Sequence, residues 1–147
     1  MIDCFIKKND PMNAFKKIMI VVDNSANNKK VMAYGTKIAR AFKSEIILAS
    51  VTTEPVDSIG TIELLRLKEQ TRALFCEFAS PIYNNFVHSV VLELNDSCAL
   101  ESCAEKENVD ILIIGANLSY WIEDYMKCNT RRYIHNRIQT ALMIVPM

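Results

Sequence analysis

A glycine just past an apolar run is where an α/β protein brings bare backbone N–H groups up to a phosphate, because no side chain blocks the approach. Gly115 stands in such a place, directly after the run Asp110 to Ile114 (DILII). A loop that wraps several phosphate oxygens needs more glycines than one, and the chain has only three in 147 residues. The basic cluster Lys127, Arg131, Arg132, His135 and Arg137 surrounds an expected helix start and could hold an anion weakly by charge; a solvated helix face is the simpler reading. Enzymatic chemistry has little support. His88 and His135 are the only histidines, they fall on different elements, and neither sits in HExxH; no GxSxG elbow is present. His88 is expected to be a solvent-facing strand residue, and the pair Glu123 and Asp124 to be solvent-exposed.

Five cysteines (Cys4, Cys76, Cys98, Cys103, Cys128) form no CxxC pair. An odd count suits reduced thiols better than a disulfide framework, and buried apolar roles better than metal ligation. Half the residues are hydrophobic, enough for one domain with a real core. Net charge is zero and the pI is about 6.7, which gives no electrostatic reason to expect nucleic acid or an anionic membrane as partner. No apolar stretch approaches the ~20 residues of a membrane span, and the first residues, MIDCFIKKND, carry charge where a signal peptide is apolar. A cytoplasmic location is the expectation.

These residues must be positioned by an alternation of β-rich runs and amphipathic helices, the pattern of βαβ units and a parallel sheet. Strands are expected at Lys17 to Val22, Glu45 to Val51, Val87 to Leu94, Asp110 to Ile114 and Ala141 to Val145. Four are near-continuously apolar, as when helices cover both faces; Val87 to Leu94 is mixed and belongs near an edge. One helical stripe runs through Val31, Tyr34, Gly35, Ile38 and Phe42, with Gly35 packing closely on the sheet. A second runs through Leu67, Leu74, Phe75 and Phe78 and stops near Pro81. A third spans Ala99 to Lys106, capped by Asp96 or Ser97, and a fourth Thr130 to Ile138, capped by Asn129. Residues 1–11 read as an extension, disordered by preference, ahead of a domain at 12–147.

The order KKIMIVVDNS, helix, EIILASV, helix, ENVDILIIGA and TALMIVP resembles the universal stress protein family from Lys16 to Pro146. The resemblance implies a Rossmann-like, five-stranded parallel sheet in the order 3-2-1-4-5, helices on both faces, and ligand chemistry where strands one and four diverge. Family members that bind ATP carry Gly-x2-Gly-x9-Gly-Ser/Thr after the fourth strand. Laid on this chain without a gap, those positions are Gly115, Leu118, Cys128 and Asn129, so one of four matches.

Losing two or more bonds to a charged phosphate forfeits about 1.5–3 kcal/mol each. At about 1.4 kcal/mol per tenfold, micromolar affinity falls toward millimolar. The expectation is therefore a stress-response binding or regulatory module, not an enzyme, that has lost tight ATP binding and needs no cofactor. The alternative is an ATP or AMP sensor, with Mg²⁺, using a degenerate site.

By the resemblance, that site would draw on Val22, Asp23, Val51, Ile114, Gly115, Leu118, Cys128, Asn129, Thr130 and Arg131. Asp23 would meet the adenosine part, with helix capping as its equal rival, and Val51 the adenine edge, although plain core is the better reading there. The segment Asn117 to Lys127 is read as an altered loop whose Trp121 or Tyr120 plugs the crevice, meets a partner or, most simply, packs. The final strand, Ala141, Leu142, Met143, Ile144 and Val145, is expected at a sheet edge, where the resemblance implies a two-fold dimer; a protein partner is a further expectation.

Overall fold

Near-continuous apolar runs become strands covered on both faces, and five of them build the centre of this computed structural model, which describes residues 15–23, 27–53, 58–79, 86–93, 98–134 and 140–147. The elements in chain order are β1 (Lys17–Val22), α1 (Asn28–Phe42), β2 (Glu45–Thr52), α2 (Thr61–Phe78), β3 (Phe86–Glu93), α3 (Ala99–Lys106), β4 (Ile111–Gly115), α4 (Ser119–Ile134) and β5 (Ala141–Val145). All strand pairings are parallel, in the order β3-β2-β1-β4-β5, so the expected architecture stands. Residues 1–11 lie outside the described residues, and the cap position of α3 is held by Cys98, not by the expected Asp96 or Ser97.

Successive strand residues point to opposite faces and divide the core in two. Met19, Val21, Ile47, Ala49, Leu112 and Ile114 meet α3 and α4 on one face. Ile18, Ile20, Val22, Ile46, Leu48 and Ile113 meet α1 and α2 on the other. The register of β1 on β4 is pinned at its start by the Lys17 N–H, which donates to the Asp110 carboxylate at 3.0 Å, and by the Asp110 N–H, which donates to the Lys17 carbonyl at 2.8 Å.

The helix faces differ in detail from expectation. In α1 the buried rows are Asn28, Met32, Thr36 and Val31, Gly35, Ala39, each spaced by four. Tyr34 belongs to the adjacent row, with the half-buried Ile38 and Phe42, and is exposed. In α2 the row is Leu67, Thr71 and Phe75, and Leu74 and Phe78 lie at its margin. Thr71 is tolerated in the core because its hydroxyl donates to the Leu67 carbonyl and shares a hydrogen bond with the buried Ser50 hydroxyl. His88 is not a purely solvent-facing residue: its Nε2 lies 3.0 Å from a Glu107 carboxylate oxygen.

The largest departure is α4. The expected helix from Thr130 to Ile138, with a loop before it, is instead a helix already under way at Ser119 and unbroken to Ile134. Nothing from Ala116 to Ile134 is glycine or proline, so no residue interrupts it. Asn129 is consequently an interior helix residue and not a cap.

Gly35 is required by close approach, as expected. A Cβ there would sit 2.5 Å from Ile20 Cδ1 and 2.7 Å from Ile20 Cγ1. Gly35→Ala should lower unfolding stability by about 1–2 kcal/mol in urea denaturation, because overpacking outweighs the gain in helix propensity.

Candidate functional site

Strand β1 hands the chain to β2 on one side, while β4 lies on its other side, so the carboxyl ends of β1 and β4 diverge into a crevice. Asp23 follows β1 there and Gly115 ends β4. The Asp23 backbone N–H donates to the Asn28 side-chain oxygen at 2.9 Å, which ties the β1 exit to the first residue of α1. Asp23 is not the helix cap, because Asn27 holds that position.

Asn117 spans the crevice. Its Nδ2 donates to the Asp23 carboxylate at a long 3.4 Å. Its Oδ1 lies 2.5 Å from where a Gly115 Cβ would be, with Val31 Cγ2 at 2.9 Å and Met147 Sδ at 3.4 Å. Gly115 does not have positive φ. Its missing side chain makes room for this chain's own Asn117 and Val31.

Part of the segment that a phosphate loop would occupy has its backbone engaged within the chain. The Leu118 N–H donates to the Gly115 carbonyl at 3.1 Å, and the Ile122 N–H to the Leu118 carbonyl at 3.1 Å, after which α4 continues. In a helix interior each N–H is bonded to the carbonyl four residues back, so Cys128, Asn129, Thr130 and Arg131 offer none to an anion. Leu118 packs against the core cluster. The basic residues Arg131 and Arg132 fall in the last described turn of α4, not at a helix start, so the dipole there disfavours an anion. The side chains of Asn129 to Ile134, and His135 and Arg137, lie outside the described residues.

The remaining expected site residues are core. Val22 and Ile114 are fully covered and Val51 nearly so. Trp121 packs with Tyr125, Ala99 and Leu100 in the α3/α4 layer, while Tyr120 is exposed. The Tyr125 hydroxyl donates to the Thr140 carbonyl at 2.7 Å, and burial raises its pKa above the usual phenol value.

The expectation of reduced thiols is overturned at two cysteines. Cys98, before α3, and Cys128, within α4, form a disulfide across 30 residues of sequence. Helix packing brings them together, which residue spacing could not reveal. Asp124 is half-buried and accepts a 2.8 Å hydrogen bond from the Cys98 backbone N–H, so it is not the solvated partner of Glu123. Cys103 is no nucleophile: burial, then the Glu107 charge, push its thiol up to about 11.

A family model described as the universal stress protein family matches residues 14–146. The chain belongs to the universal stress protein family. Among similar solved structures is a universal stress protein in complex with cAMP, at TM-score 0.61 and 15% identity, covering 90% of this chain and 97% of that one. A universal stress protein from Archaeoglobus fulgidus matches at TM-score 0.61 and 10% identity, over 90% and 94% of the two chains. One from the same organism in complex with dAMP matches at TM-score 0.58 and 9% identity, over 89% and 98%. These likenesses carry the fold. Comparison with curated proteins finds no match by sequence. No helix among the described residues of this universal stress protein is long and apolar enough to cross a membrane.

Proposed function

We propose that this universal stress protein is a cytoplasmic binding and regulatory module of the stress response, working as a dimer, in which tight ATP binding has been lost. The carrying observation is the unbroken run of α4 from Ser119 to Ile134 across the positions that would cradle phosphates. Asn117, lying over Gly115 and reaching Asp23, supports the same reading from the other side of the crevice. With no phosphate loop there is no reason to expect Mg²⁺ or any other cofactor. Family membership favours a binding role over catalysis, and a nucleotide-hydrolysing base is hard to name. His88 sits on β3, two strands from β1 and against Glu107.

A second reading, an AMP or ATP sensor with a degenerate site, is favoured by Asp23 and Gly115 still flanking the crevice. The solved relatives that hold cAMP and dAMP make a monophosphate the more reasonable ligand class. On this reading Asn117 would swing aside, and Val22, Val51 and Ile114 would shape the apolar floor.

Strand β5 is the proposed dimer edge. Among the described residues it pairs only with β4, and Ala141 and Ile144 are exposed, while Leu142 and Met143 are half-buried. Such an edge leaves a row of backbone groups and apolar side chains for a second copy.

Calorimetric titration with ATP and Mg²⁺ should give no binding heat up to millimolar ligand. Micromolar binding would contradict the lost-site reading, and binding of AMP alone would select the second. Sedimentation should show a dimer at micromolar concentration that Ile144→Asp converts to monomer. A wild-type monomer would remove β5 as an interface.

A further inference from the structure

Cys98 is held to α4 in two separate ways. Its sulfur is bonded to Cys128, and its backbone N–H donates to the Asp124 carboxylate at 2.8 Å. Asp124 and Cys128 are four residues apart on α4 and so share a helix face. The two sulfurs and a carboxylate oxygen of Asp124 all lie within 4.8 Å of one another. Cys98 adopts the left-handed region, φ 64°, which a residue with a Cβ rarely takes. Of the two sulfur-bearing residues Cys98 is the more accessible, half-buried where Cys128 is 4% exposed.

Breaking the S–S bond would leave the hydrogen bond to Asp124 in place, together with the packing of Ala99 and Leu100 against Trp121 and Tyr125. The freed thiols would stay within bonding reach of each other, the condition under which a disulfide forms and opens repeatedly without the fold being lost.

We propose that Cys98 and Cys128 form a reversible thiol–disulfide modification site that exchanges with low-molecular-weight dithiols and disulfides, with Asp124 as its positioning residue. In reduction, a thiolate of a dithiol reductant attacks Cys98 Sγ, and the Cys98–Cys128 bond breaks. The electron pair leaves on Cys128 Sγ, which takes a proton from water. The second thiolate of the reductant attacks the mixed disulfide and releases Cys98, also protonated, and the reductant departs as a cyclic disulfide. Two electrons pass to the protein. Oxidation by glutathione disulfide is the reverse exchange: the two protein thiols become the disulfide and two glutathione thiols are released.

The test uses the full chain, equilibrated in glutathione buffers of varied thiol-to-disulfide ratio, quenched in acid and alkylated for peptide mass analysis. Cys98 and Cys128 should convert together along one two-electron curve, reached equally from the oxidised and the reduced protein. Exposed Cys76 should exchange independently, reaching at most a mixed disulfide with one glutathione, and the far-ultraviolet circular dichroism of the reduced form should match that of the oxidised form. Asp124→Ala should shift the exchange equilibrium toward dithiol, because without the tether the freed Cys98 thiol spends less time beside Cys128, and Asp124→Asn, which keeps an acceptor, should restore much of it. A pair that stays reduced at every ratio, or a reduced form that unfolds, would overturn the proposal. So would a reduced protein that retains added Zn²⁺ and thereby resists glutathione disulfide, since the same three side chains would then be a metal site.

Discussion

Complete burial of β1 on both faces and both edges is the constraint from which the rest of the architecture follows. Its residues from Ile18 to Val22 are covered, with β2 paired along one edge and β4 along the other. From Ile18 onward a strand in that position must be apolar at every residue, because neither face has access to water; Lys17, at its start, is half-buried. It must also receive helices on both sides, which puts α1 and α2 on one face and α3 and α4 on the other. The crevice at Asp23 and Gly115 is a consequence of the same arrangement, since it lies where the chain connections depart from β1 and β4 in opposite directions.

At the crevice, the chain's own groups lie beside Gly115. Gly115 gives a close approach, but the group that approaches is Asn117 from two residues further on. From Ile122 onward, the backbone donors are turned along the axis of α4 and bonded within it. Trp121 and Tyr125 bury that helix against α3, and the Tyr125 hydroxyl joins it to the start of β5. The helix that fills the place of a loop is thus fastened to the core, to the last strand and, through Cys128, to the residue preceding α3.

The strands were legible because period and composition agreed: β1 and β5 have the expected limits, β2 runs one residue longer, and β3 and β4 are each shifted by one residue. Gly35 was legible for the same local reason. α4 was not, although its signal was present in the absence of glycine and proline from Ala116 onward. Laying a phosphate motif over the segment favoured a loop where local propensity favoured a helix. The Cys98–Cys128 pairing and the Asp124 contact depend on how α3 packs on α4, and no count or spacing of cysteines encodes that. Asn117 has an ordinary type at an ordinary position, and only the missing Cβ of Gly115 gives it its place.

The central claim is that α4 is continuous helix through the phosphate-loop positions. Hydrogen exchange read by mass spectrometry over the amides from Glu123 to Arg131, with and without ATP and Mg²⁺, tests it most directly. Slow exchange across the whole span, unchanged by nucleotide, is the predicted result. Rapid exchange at Cys128 to Arg131 that becomes slow when nucleotide is added would mean that a phosphate loop forms there, and would contradict the account.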